Sequence, residues 1–515
     1  MATCGLLALV WICGATLAQA SAPKAARNAD YDRLVDAVVA RYHLPGIAVG
    51  VIEDGKVVYT RTEGVRPSGK PINDDTLFKI ASNTKAMTAT LLARLVEQGK
   101  LRWDDPVTKY LPSFRMYDPW VTTNMQVGDL LAHHSGLREG AGDLMLWPNP
   151  NHFTPTDIIA ALRYLKPAYS FRAGYAYDNV LYIVAGQVAV AAGGSPYAQL
   201  LRREVFAPLG MNRCQIGSWN RHEVGNVAQP HLRRDGHNVA IESNAPVVHA
   251  TTMDAAGGVY CSIDNMLSWA KNWLAPTPQQ LAWLSPEQRR RAWATYTTLP
   301  ISPRLQAWNS TIFRGNGYGW RTSNVDGQMT VWHTGVLSGM HSGVTLLPFQ
   351  RSGFVILINS EAENARIVLN EVLLKHFTAP GQGRSVASYA DELAREDQAQ
   401  HISHVPDTSS RQPATAADLT AQLGVWHDPW FGTVSICAHA GQVRFVSAMS
   451  PRLSGPVMRV GSQYLVHWDH DDAEAWLRFP ATADGVLQMA KVDPDADFSY
   501  DYEDLAFKRI GGCPR

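Results

Sequence analysis

The first 380 residues place strand-like runs at both ends and mostly helical patterns between them. Residues 47–53 and 56–62 are β-rich and are joined by Asp54-Gly55, which favours a tight hairpin because both turn residues need positive φ. Strand-like runs return at residues 329–332, 343–347 and 353–359. Strands drawn from both ends of one domain predict an α/β sandwich, with helices packed on an antiparallel sheet and a helical subdomain inserted in it.

A chain of 515 residues is too long for one hydrophobic core, and its composition changes near residue 380. Residues 381–415 are rich in Gly, Ser, Thr, Pro and Gln around a charged segment, which predicts a linker with a short helix. Over residues 416–512, short strand-like runs alternate with turn residues at near-regular spacing. This pattern predicts a small all-β barrel or sandwich, and the first domain then covers residues 21–380.

An apolar run at residues 6–18 ends at Ala18-Gln19-Ala20, a small-x-small sequence of the type that signal peptidases cut. The run is too short to span a bilayer, which needs about 20 helical residues. We therefore predict a signal peptide over residues 1–20 and a periplasmic or secreted mature protein.

Four cysteines remain after residue 20, and none belongs to a CxxC pair, which argues against a structural zinc site or a redox motif. In an oxidising compartment, pairing within each predicted domain would join Cys214 to Cys261 and Cys437 to Cys513. Free buried thiols are the alternative.

The charge balance and the missing motifs exclude several functions. Lys and Arg number 46 and so do Asp and Glu, whereas a sequence-independent nucleic-acid binder needs a basic surplus. Polybasic attachment to anionic membranes fails for the same reason. No HExxH motif or similar His cluster is present, so no metal is expected. The Gly-x-Ser-x-Gly elbow of α/β-hydrolases is also missing.

Nucleophile chemistry is indicated by Ser82-Asn83-Thr84-Lys85, at the start of a long helical pattern. Residues three apart share a helix face, so the Ser82 hydroxyl and the Lys85 amine can meet. A buried lysine can lose its proton and act as the base that a serine nucleophile needs. The helix N-terminus favours an oxyanion beside Ser82.

Two further patterns follow in order: Tyr177-Asp178-Asn179, and His333-Thr334-Gly335 on a strand. Gly335 lacks side-chain bulk, which would let a substrate backbone lie close along the strand. Each pattern alone is weak evidence. Their joint occurrence in this order is much stronger evidence than any one of them.

From about residue 30 to 377 the chain resembles the penicillin-recognising serine hydrolases, in particular the class C β-lactamases and D-alanyl-D-alanine carboxypeptidases. The resemblance also rests on segments outside the three motifs, namely Leu44-Pro45-Gly46, residues 130–137, residues 206–211, Ala256-Gly257-Gly258-Val259, Tyr318-Gly319-Trp320 and Gly339. It implies the α/β sandwich of the β-lactamase/transpeptidase fold. The C-terminal part resembles the lipocalin-like β-domain that is attached to some of these hydrolases.

The resemblance implies a role for each motif residue. Ser82 would be the acylated nucleophile, and Lys85 and Tyr177 would share the general-base and general-acid steps. Asn179 would orient the substrate amide. The remaining positions would contact the substrate: the backbone N–H groups of Ser82 and Val336 as the oxyanion hole, Thr334 at a substrate carboxylate or neighbouring oxygen, and His333 and Gly335 beside it.

One departure from the family pattern concerns substrate choice. His333 stands where class C β-lactamases usually have Lys, and a histidine is only partly charged near pH 7. Histidine at this position is found among carboxypeptidases, D-aminopeptidases and esterases of the group. Tyr175 is an alternative to Tyr177, but Asn179 two residues later favours Tyr177.

We therefore predict an exported serine hydrolase that needs no cofactor and acts through an acyl-enzyme on short peptides or amides, including those with D-amino acids. Its partners would be small-molecule or short-peptide substrates, without nucleic acid and without a membrane span after signal cleavage. The alternatives, in order, are a carboxylesterase on small acyl esters, a β-lactamase and a catalytically silent binding protein of the same fold. Retention of Ser82, Lys85 and Tyr177 argues against the last.

Overall fold

The computed structural model describes residues 24–234, 236–241, 245–482 and 485–514, and the predicted signal peptide at 1–20 lies outside them. The first domain is built on an eight-stranded antiparallel sheet. In chain order its strands are β1 (Gly46–Glu53), β2 (Lys56–Gly64), β3 (Thr297–Thr298), β4 (Arg314–Asn316), β5 (Arg321–Val325), β6 (Gln328–Leu337), β7 (Met340–Leu347) and β8 (Ser352–Ile358). Across the sheet they lie in the order β2-β1-β8-β7-β6-β5-β4-β3.

The hairpin predicted near the start of this domain is confirmed. Asp54 and Gly55 connect β1 to β2 with φ of 44° and 74°, the left-handed region that a tight two-residue turn needs. β1 then pairs antiparallel with β8, with Ile47 opposite Ile358. Strands from the two ends of the domain therefore share one sheet, as the sequence pattern predicted.

The longer helices are α1 (Lys24–Tyr42), α2 (Thr84–Glu97), α3 (Asn179–Gly193), α4 (Ile263–Leu274), α5 (Glu363–Thr378) and α6 (Val386–His404). Shorter helices cover Pro119–Asn124, Pro155–Ala161, Tyr197–Leu201, Arg221–Val224, Asp254–Gly257, Pro278–Trp283, Pro286–Trp293 and Pro303–Asn309. The segment between β2 and β3 carries α2, α3, α4 and most of the short helices. This segment is the predicted helical subdomain.

Helices cover both faces of the sheet because successive apolar residues of a strand point to opposite faces. Ile47 and Val49 of β1 belong to one apolar cluster, which includes residues of α1, α5 and α6. Ala48 lies between them and belongs to a second cluster, which includes residues of α2, α3 and α4. The alternation therefore produces the predicted α/β sandwich.

The helix within residues 381–415 is longer than the short helix that was predicted for this linker. It is α6, with 19 residues. Tyr389, Ala390 and Leu393 are buried in the same apolar cluster as α1 and α5. This segment therefore packs on the first domain before the chain enters the second.

The second domain is a closed antiparallel barrel, so of the two predicted forms, barrel and sandwich, the barrel is the one observed. Its strands are β9 (Gln412–Pro413), β10 (Gly424–Asp428), β11 (Gly432–His439), β12 (Gln442–Ser447), β13 (Ser454–Val460), β14 (Gln463–Val466), β15 (Ala475–Arg478), β16 (Val486–Lys491) and β17 (Ala506–Gly511). The order is β9-β13-β12-β11-β10-β17-β16-β15-β14, and pairing of β13 with β14 closes eight of these strands into a ring. The short β9 adds to the outside of β13.

Both candidate disulfides are present, since Cys214 is bonded to Cys261 and Cys437 to Cys513. Each bridge stays within one domain. Among the described residues, no single helix is long and apolar enough to cross a membrane. Only Asn179–Gly193 and Tyr197–Leu209, bent by 77° to each other, meet the length and composition test together.

Candidate active site

Ser82 lies in a tight turn between the sheet and α2. A short 3₁₀ helix, Ala81–Asn83, leads directly into α2. Ala81 is buried and has φ of 47°, a left-handed conformation that an alanine rarely adopts. Asn83 donates a hydrogen bond from Nδ2 to Ser342 Oγ on β7 at 2.8 Å. The turn is therefore strained locally and held from the sheet, and it presents the half-buried Ser82 at the start of the helix.

Lys85 lies one turn later, with its amine on the serine hydroxyl. Lys85 Nζ donates to Ser82 Oγ at 3.1 Å, to Asn179 Oδ1 at 2.7 Å and to the backbone oxygen of Ala256 at 3.0 Å. The side chain is completely buried. The structure thus brings together the two residues that the Ser-x-x-Lys spacing placed on one helix face.

Burial lowers the pKa of Lys85 to about 7, since a buried ammonium loses its hydration. The nearby Asp143 carboxylate acts in the opposite direction, and the Arg321 guanidinium lowers the Lys85 pKa further. At neutral pH a substantial fraction of the Lys85 amine is therefore unprotonated. This is the state that can accept the Ser82 proton.

Asn179 is at the first position of α3 and connects Lys85 to a buried carboxyl group. Its Oδ1 accepts from Lys85, and its Nδ2 donates to Asp143 Oδ2 at 2.7 Å. Burial raises the pKa of Asp143 to about 7. Both polar atoms of the Asn179 amide thus have partners within the protein, so this residue orients the lysine, and its predicted contact with the substrate amide stays a prediction.

Tyr177 lies on the other side of Lys85. Its ring centroid is 4.7 Å from Lys85 Nζ and 4.4 Å from the ring centroid of His133. Burial raises the pKa of the Tyr177 hydroxyl, against the effects of the Arg321 charge and of Ser82, so this phenol is protonated at neutral pH. Tyr175 accepts a hydrogen bond from Arg321 and meets the His133 ring edge-on.

His133 was not singled out by the sequence patterns as a site residue. Its Nδ1 accepts from the backbone N–H of Asp178 at 3.0 Å, so this nitrogen carries no proton. Burial holds the His133 pKa well below its ordinary value. The neutral ring packs on Tyr177 and fixes the plane of the phenol. His133 belongs to residues 130–137, one of the segments on which the family resemblance rests. This was the only sequence signal for its position.

The third motif lies on β6, as predicted, but His333 is not partly charged. It is buried, and its Nδ1 lies 2.7 Å from the backbone oxygen of Thr334, an acceptor, so Nδ1 carries the proton. Burial, together with the charges of Arg321 and Lys85, holds the His333 pKa well below its ordinary value. The expectation of partial charge near pH 7 was wrong because it ignored desolvation and two neighbouring cations.

The need for a glycine at position 335 has a steric reason within the protein. A Cβ atom at this position would lie 2.2 Å from the backbone oxygen of Ile80 and 2.5 Å from Ser342 Oγ. The missing side chain therefore admits the protein's own turn before Ser82, and the predicted approach of a substrate backbone along the strand stays a prediction. This contact places the half-buried Thr334 and the exposed Val336 of the same strand on either side of Gly335, next to the turn that carries the serine.

Arg321, the first residue of β5, is the cation of the site, and no sequence pattern identified it. Its guanidinium stacks 5.3 Å from the Tyr177 ring and 5.2 Å from the Trp332 ring, and Nη2 donates to Tyr175 Oη at 3.1 Å. No carboxylate in the described part of the chain forms an ion pair with it. The only sequence signal was its position directly after Tyr318-Gly319-Trp320.

The polar groups of the site have the composition of a serine hydrolase site. No group of three or more His, Cys, Asp or Glu side chains could hold a metal ion within residues 24–234, 236–241, 245–482 and 485–514. The polar groups instead converge on one hydroxyl, Ser82, with an amine and a phenol beside it.

Residues 31–376 match the beta-lactamase family, and the chain belongs to this family of serine hydrolases. Unguisins hydrolase ungD' of Aspergillus campestris is 26% identical over 368 residues, which cover 68% of this chain and 64% of the relative. Esterase EstB of Burkholderia gladioli is 35% identical over 199 residues, 36% of this chain and 50% of the relative. The chain thus spans less than two thirds of either relative.

The fold of the chain is shared with a solved structure. The octameric penicillin-binding protein homologue from Pyrococcus abyssi matches with a TM-score of 0.59 at 19% identity, over 90% of this chain and 97% of that chain. The match shows that the fold recurs in a protein of low sequence identity.

Proposed function

We propose that the protein is an exported serine peptidase or amidase that forms an acyl-enzyme on Ser82 and acts on short peptides, including peptides with D-amino acids. The observation that carries the proposal is the 3.1 Å contact between Ser82 Oγ and the buried Lys85 amine, whose pKa lies at about 7. A hydroxyl next to an unprotonated amine is an activated nucleophile. The family membership supports a hydrolase, and the proposal adds the bond that is cut.

In the first step, Ser82 Oγ attacks the substrate carbonyl carbon while its proton passes to Lys85. The carbonyl oxygen becomes an oxyanion, which the backbone N–H groups of Ser82 and Val336 stabilise. The intermediate then collapses, the bond to the leaving amine breaks, and the protonated Tyr177 delivers a proton to the amine. A water molecule then attacks the acyl carbon and gives a proton to the Tyr177 phenolate. The ester bond to Ser82 breaks, Lys85 returns its proton to Ser82 Oγ, and the acid is released.

The Arg321 side chain favours substrates with a free carboxylate. Its charge is half-buried beside Tyr177 and has a phenol as its hydrogen-bond partner, not a carboxylate. Arginine binds carboxylates through paired N–H donors. With His333 neutral, Arg321 is the group on this side of the site that would recognise a peptide C-terminus, and Thr334 is the adjacent hydroxyl.

Covalent labelling tests the nucleophile. A fluorophosphonate probe should label the wild-type protein at Ser82, and Ser82→Ala should abolish this labelling. The exposed Ser170 on the loop before Tyr177 provides a matched control, because Ser170→Ala removes a nearby hydroxyl and should leave labelling unchanged. Labelling that persists in Ser82→Ala would refute this nucleophile, and a wild-type protein that never labels would favour a silent binding protein.

A substrate pair tests the carboxylate preference. The wild-type enzyme should hydrolyse a D-Ala-D-Ala peptide faster than its C-terminal amide, and Arg321→Met should remove the difference mainly through KM. A chromogenic cephalosporin, D-amino-acid anilides and a short-chain nitrophenyl ester complete the panel. Equal rates for acid and amide in the wild-type enzyme would contradict the role of Arg321, and dominant cephalosporin turnover would favour a β-lactamase.

Carboxylesterase activity is the second candidate, because esterase EstB is 35% identical over its matched part and because the neutral His333 adds no charge to the site. Ester turnover far above amide turnover in the panel would support it. Export is tested separately, by sequencing the N-terminus of the protein recovered from its native compartment. The expected first residue is 21.

A further inference from the structure

A segment of the barrel contacts the first domain at the candidate active site. This segment, Asp497–Asp501, lies between β16 and β17 and is called the barrel loop below. Ser499 of the loop donates a hydrogen bond from Oγ to Asp143 Oδ2 at 2.9 Å. Both residues are buried. A residue of the second domain thus contacts the carboxyl group behind Lys85, although 356 positions separate the two in the sequence.

The contact continues to the nucleophile through three hydrogen bonds, the last of which is donated by Lys85 Nζ to Ser82 Oγ at 3.1 Å. Asp143 Oδ2 also accepts from Asn179 Nδ2 at 2.7 Å, and Asn179 Oδ1 accepts from Lys85 Nζ at 2.7 Å. The other carboxyl oxygen, Asp143 Oδ1, has no hydrogen-bond partner within the described residues. The orientation of the Asp143 carboxyl therefore depends on the two donors at Oδ2, and one of them is Ser499.

The barrel loop is anchored on both sides of Ser499. Asp501 accepts a hydrogen bond from the backbone N–H of Gly142 at 2.8 Å and forms an ion pair with Arg138. On the other side, the backbone oxygen of Phe498 lies 2.5 Å from where a Cβ of Gly140 would be. These contacts fix the height of Ser499 above Asp143, because charge-assisted bonds and close backbone packing leave the loop little freedom.

Phe498 extends the same loop to the general-acid side of the site. Its half-buried ring meets the Tyr177 ring edge-on, with centroids 5.7 Å apart at 82°. An aromatic pair in this arrangement is favourable and restricts both rings. The leaving group that Tyr177 protonates therefore has Phe498 as a neighbour.

We propose that the barrel loop is part of the active site, with Ser499 as a positioning residue that holds Lys85 on Ser82 through Asp143 and Asn179, and with Phe498 as the wall beside Tyr177. The proposal rests on the proposed function, since it assumes that Lys85 is the base. It assigns the second domain a direct part in acyl transfer. The barrel would then act on rate through Ser499 and on the size of the accepted group through Phe498.

Ser499→Ala should lower the rate of Ser82 labelling by about tenfold, the equivalent of about 1.4 kcal/mol, which is near the upper end of the net contribution of one ordinary hydrogen bond. The loss should appear in kcat for a nitrophenyl ester, with KM unchanged, because Ser499 contacts no substrate. Ser450→Ala is the matched control, since this buried barrel serine has a hydroxyl without a partner in the described chain. It should label at the wild-type rate.

Two further variants separate the hydroxyl from the packing. Ser499→Thr keeps a hydroxyl and Ser499→Val replaces it by a methyl group of similar size, so the Thr variant should label about tenfold faster than the Val variant. Phe498→Ala should instead raise the relative rate for bulky leaving groups. The charged and titratable groups that face Asp143 are Lys85, Tyr177, Asp178 and Asp497. None of these is altered in the set.

The outcomes distinguish the two proposals. Wild-type labelling at Ser82 together with an unchanged rate in Ser499→Ala would overturn the inference and leave the proposed function standing. Equal rates in Ser499→Thr and Ser499→Val would also overturn it, even if Ser499→Ala fails to fold. Absence of wild-type labelling would overturn the proposed function, and with it the inference.

Discussion

The pH dependence of acylation is expected to reveal the electrostatic coupling between Lys85 and Arg321. Lys85 must be unprotonated to accept the Ser82 proton, and its pKa of about 7 means that about half of the molecules are competent at pH 7. With the ordinary lysine pKa of about 10.5, only about one molecule in 3000 would be. The rate of Ser82 labelling should therefore rise about tenfold per pH unit below pH 7 and level off above it.

The perturbation is Arg321→Met, which removes a positive charge near Lys85. Lys85 Nζ and the Arg321 guanidinium carbon lie 4.7 Å and 5.3 Å from the same Tyr177 ring centroid, so the charges are at most about 10 Å apart. At an effective dielectric constant of about 20, their repulsion is at least about 1.7 kcal/mol, or about 1.2 pH units. A cation lowers the pKa of a neighbouring amine, so removal of Arg321 should raise the Lys85 pKa. The acid limb, which is the rising part of the plot of labelling rate against pH, should then level off near pH 8 instead of pH 7.

The assay is the rate of fluorophosphonate labelling between pH 5 and 9, because this probe carries no carboxylate and does not need Arg321 for binding. Burial raises the pKa of Asp143 to about 7, so Asp143 titrates in the same range as Lys85. The acid limb therefore reports the titration of the Lys85–Asp143 pair and not of Lys85 alone. Arg321→Lys keeps the charge and should leave the limb near pH 7. An acid limb that stays in place in Arg321→Met, or moves to lower pH, would refute the coupling.

Three other variants, one of them a double substitution, test the turn before the serine, the general acid and the Cys437–Cys513 disulfide of the barrel. Gly335→Ala should lower labelling at least about 100-fold, because its Cβ would displace the turn by about 1 Å, whereas Gly343→Ala on the paired strand meets only ordinary contacts and should label normally. Tyr177→Phe should slow amide turnover by about 100-fold but activated nitrophenyl esters much less, since only the amine needs a proton to leave. Replacing Cys437 and Cys513 by Ser should lower the free energy of unfolding, measured in denaturant, by about 4 kcal/mol, as expected for a bridge that closes a loop of 76 residues.

Short-range patterns predicted much of the fold. The Asp54-Gly55 turn and the strand-like runs beside it are local signals, because turn geometry and strand alternation involve only neighbouring residues. The regular spacing of short strands after residue 416 indicated an all-β domain in the same way. It could not distinguish a barrel from a sandwich, since closure depends on the pairing of β13 with β14 and not on any single strand.

In the candidate site, too, local contacts could be predicted from the sequence and long-range contacts could not. The contact between Ser82 and Lys85 follows from their spacing of three on one helical turn, so the sequence alone could predict it. Arg321 and His133 lacked such a signal, because they reach Tyr177 from separate parts of the chain. The chemistry of these residues became visible only when the strands and loops that carry them were brought together.

By itself, the sequence predicted Ser82 as the nucleophile and Lys85 as its base, and it determined the antiparallel sheet that carries the third motif and the presence of a second, all-β domain. Only the tertiary structure decided the charge state of each group, because a pKa depends on burial and on neighbours that are distant in the chain. Burial makes His333 neutral, brings the pKa of Lys85 to about 7 and leaves Arg321 as the cation of the site. The tertiary structure also places Ser499 of the barrel against Asp143. Local patterns cannot predict this contact, because no periodicity links residues 356 positions apart.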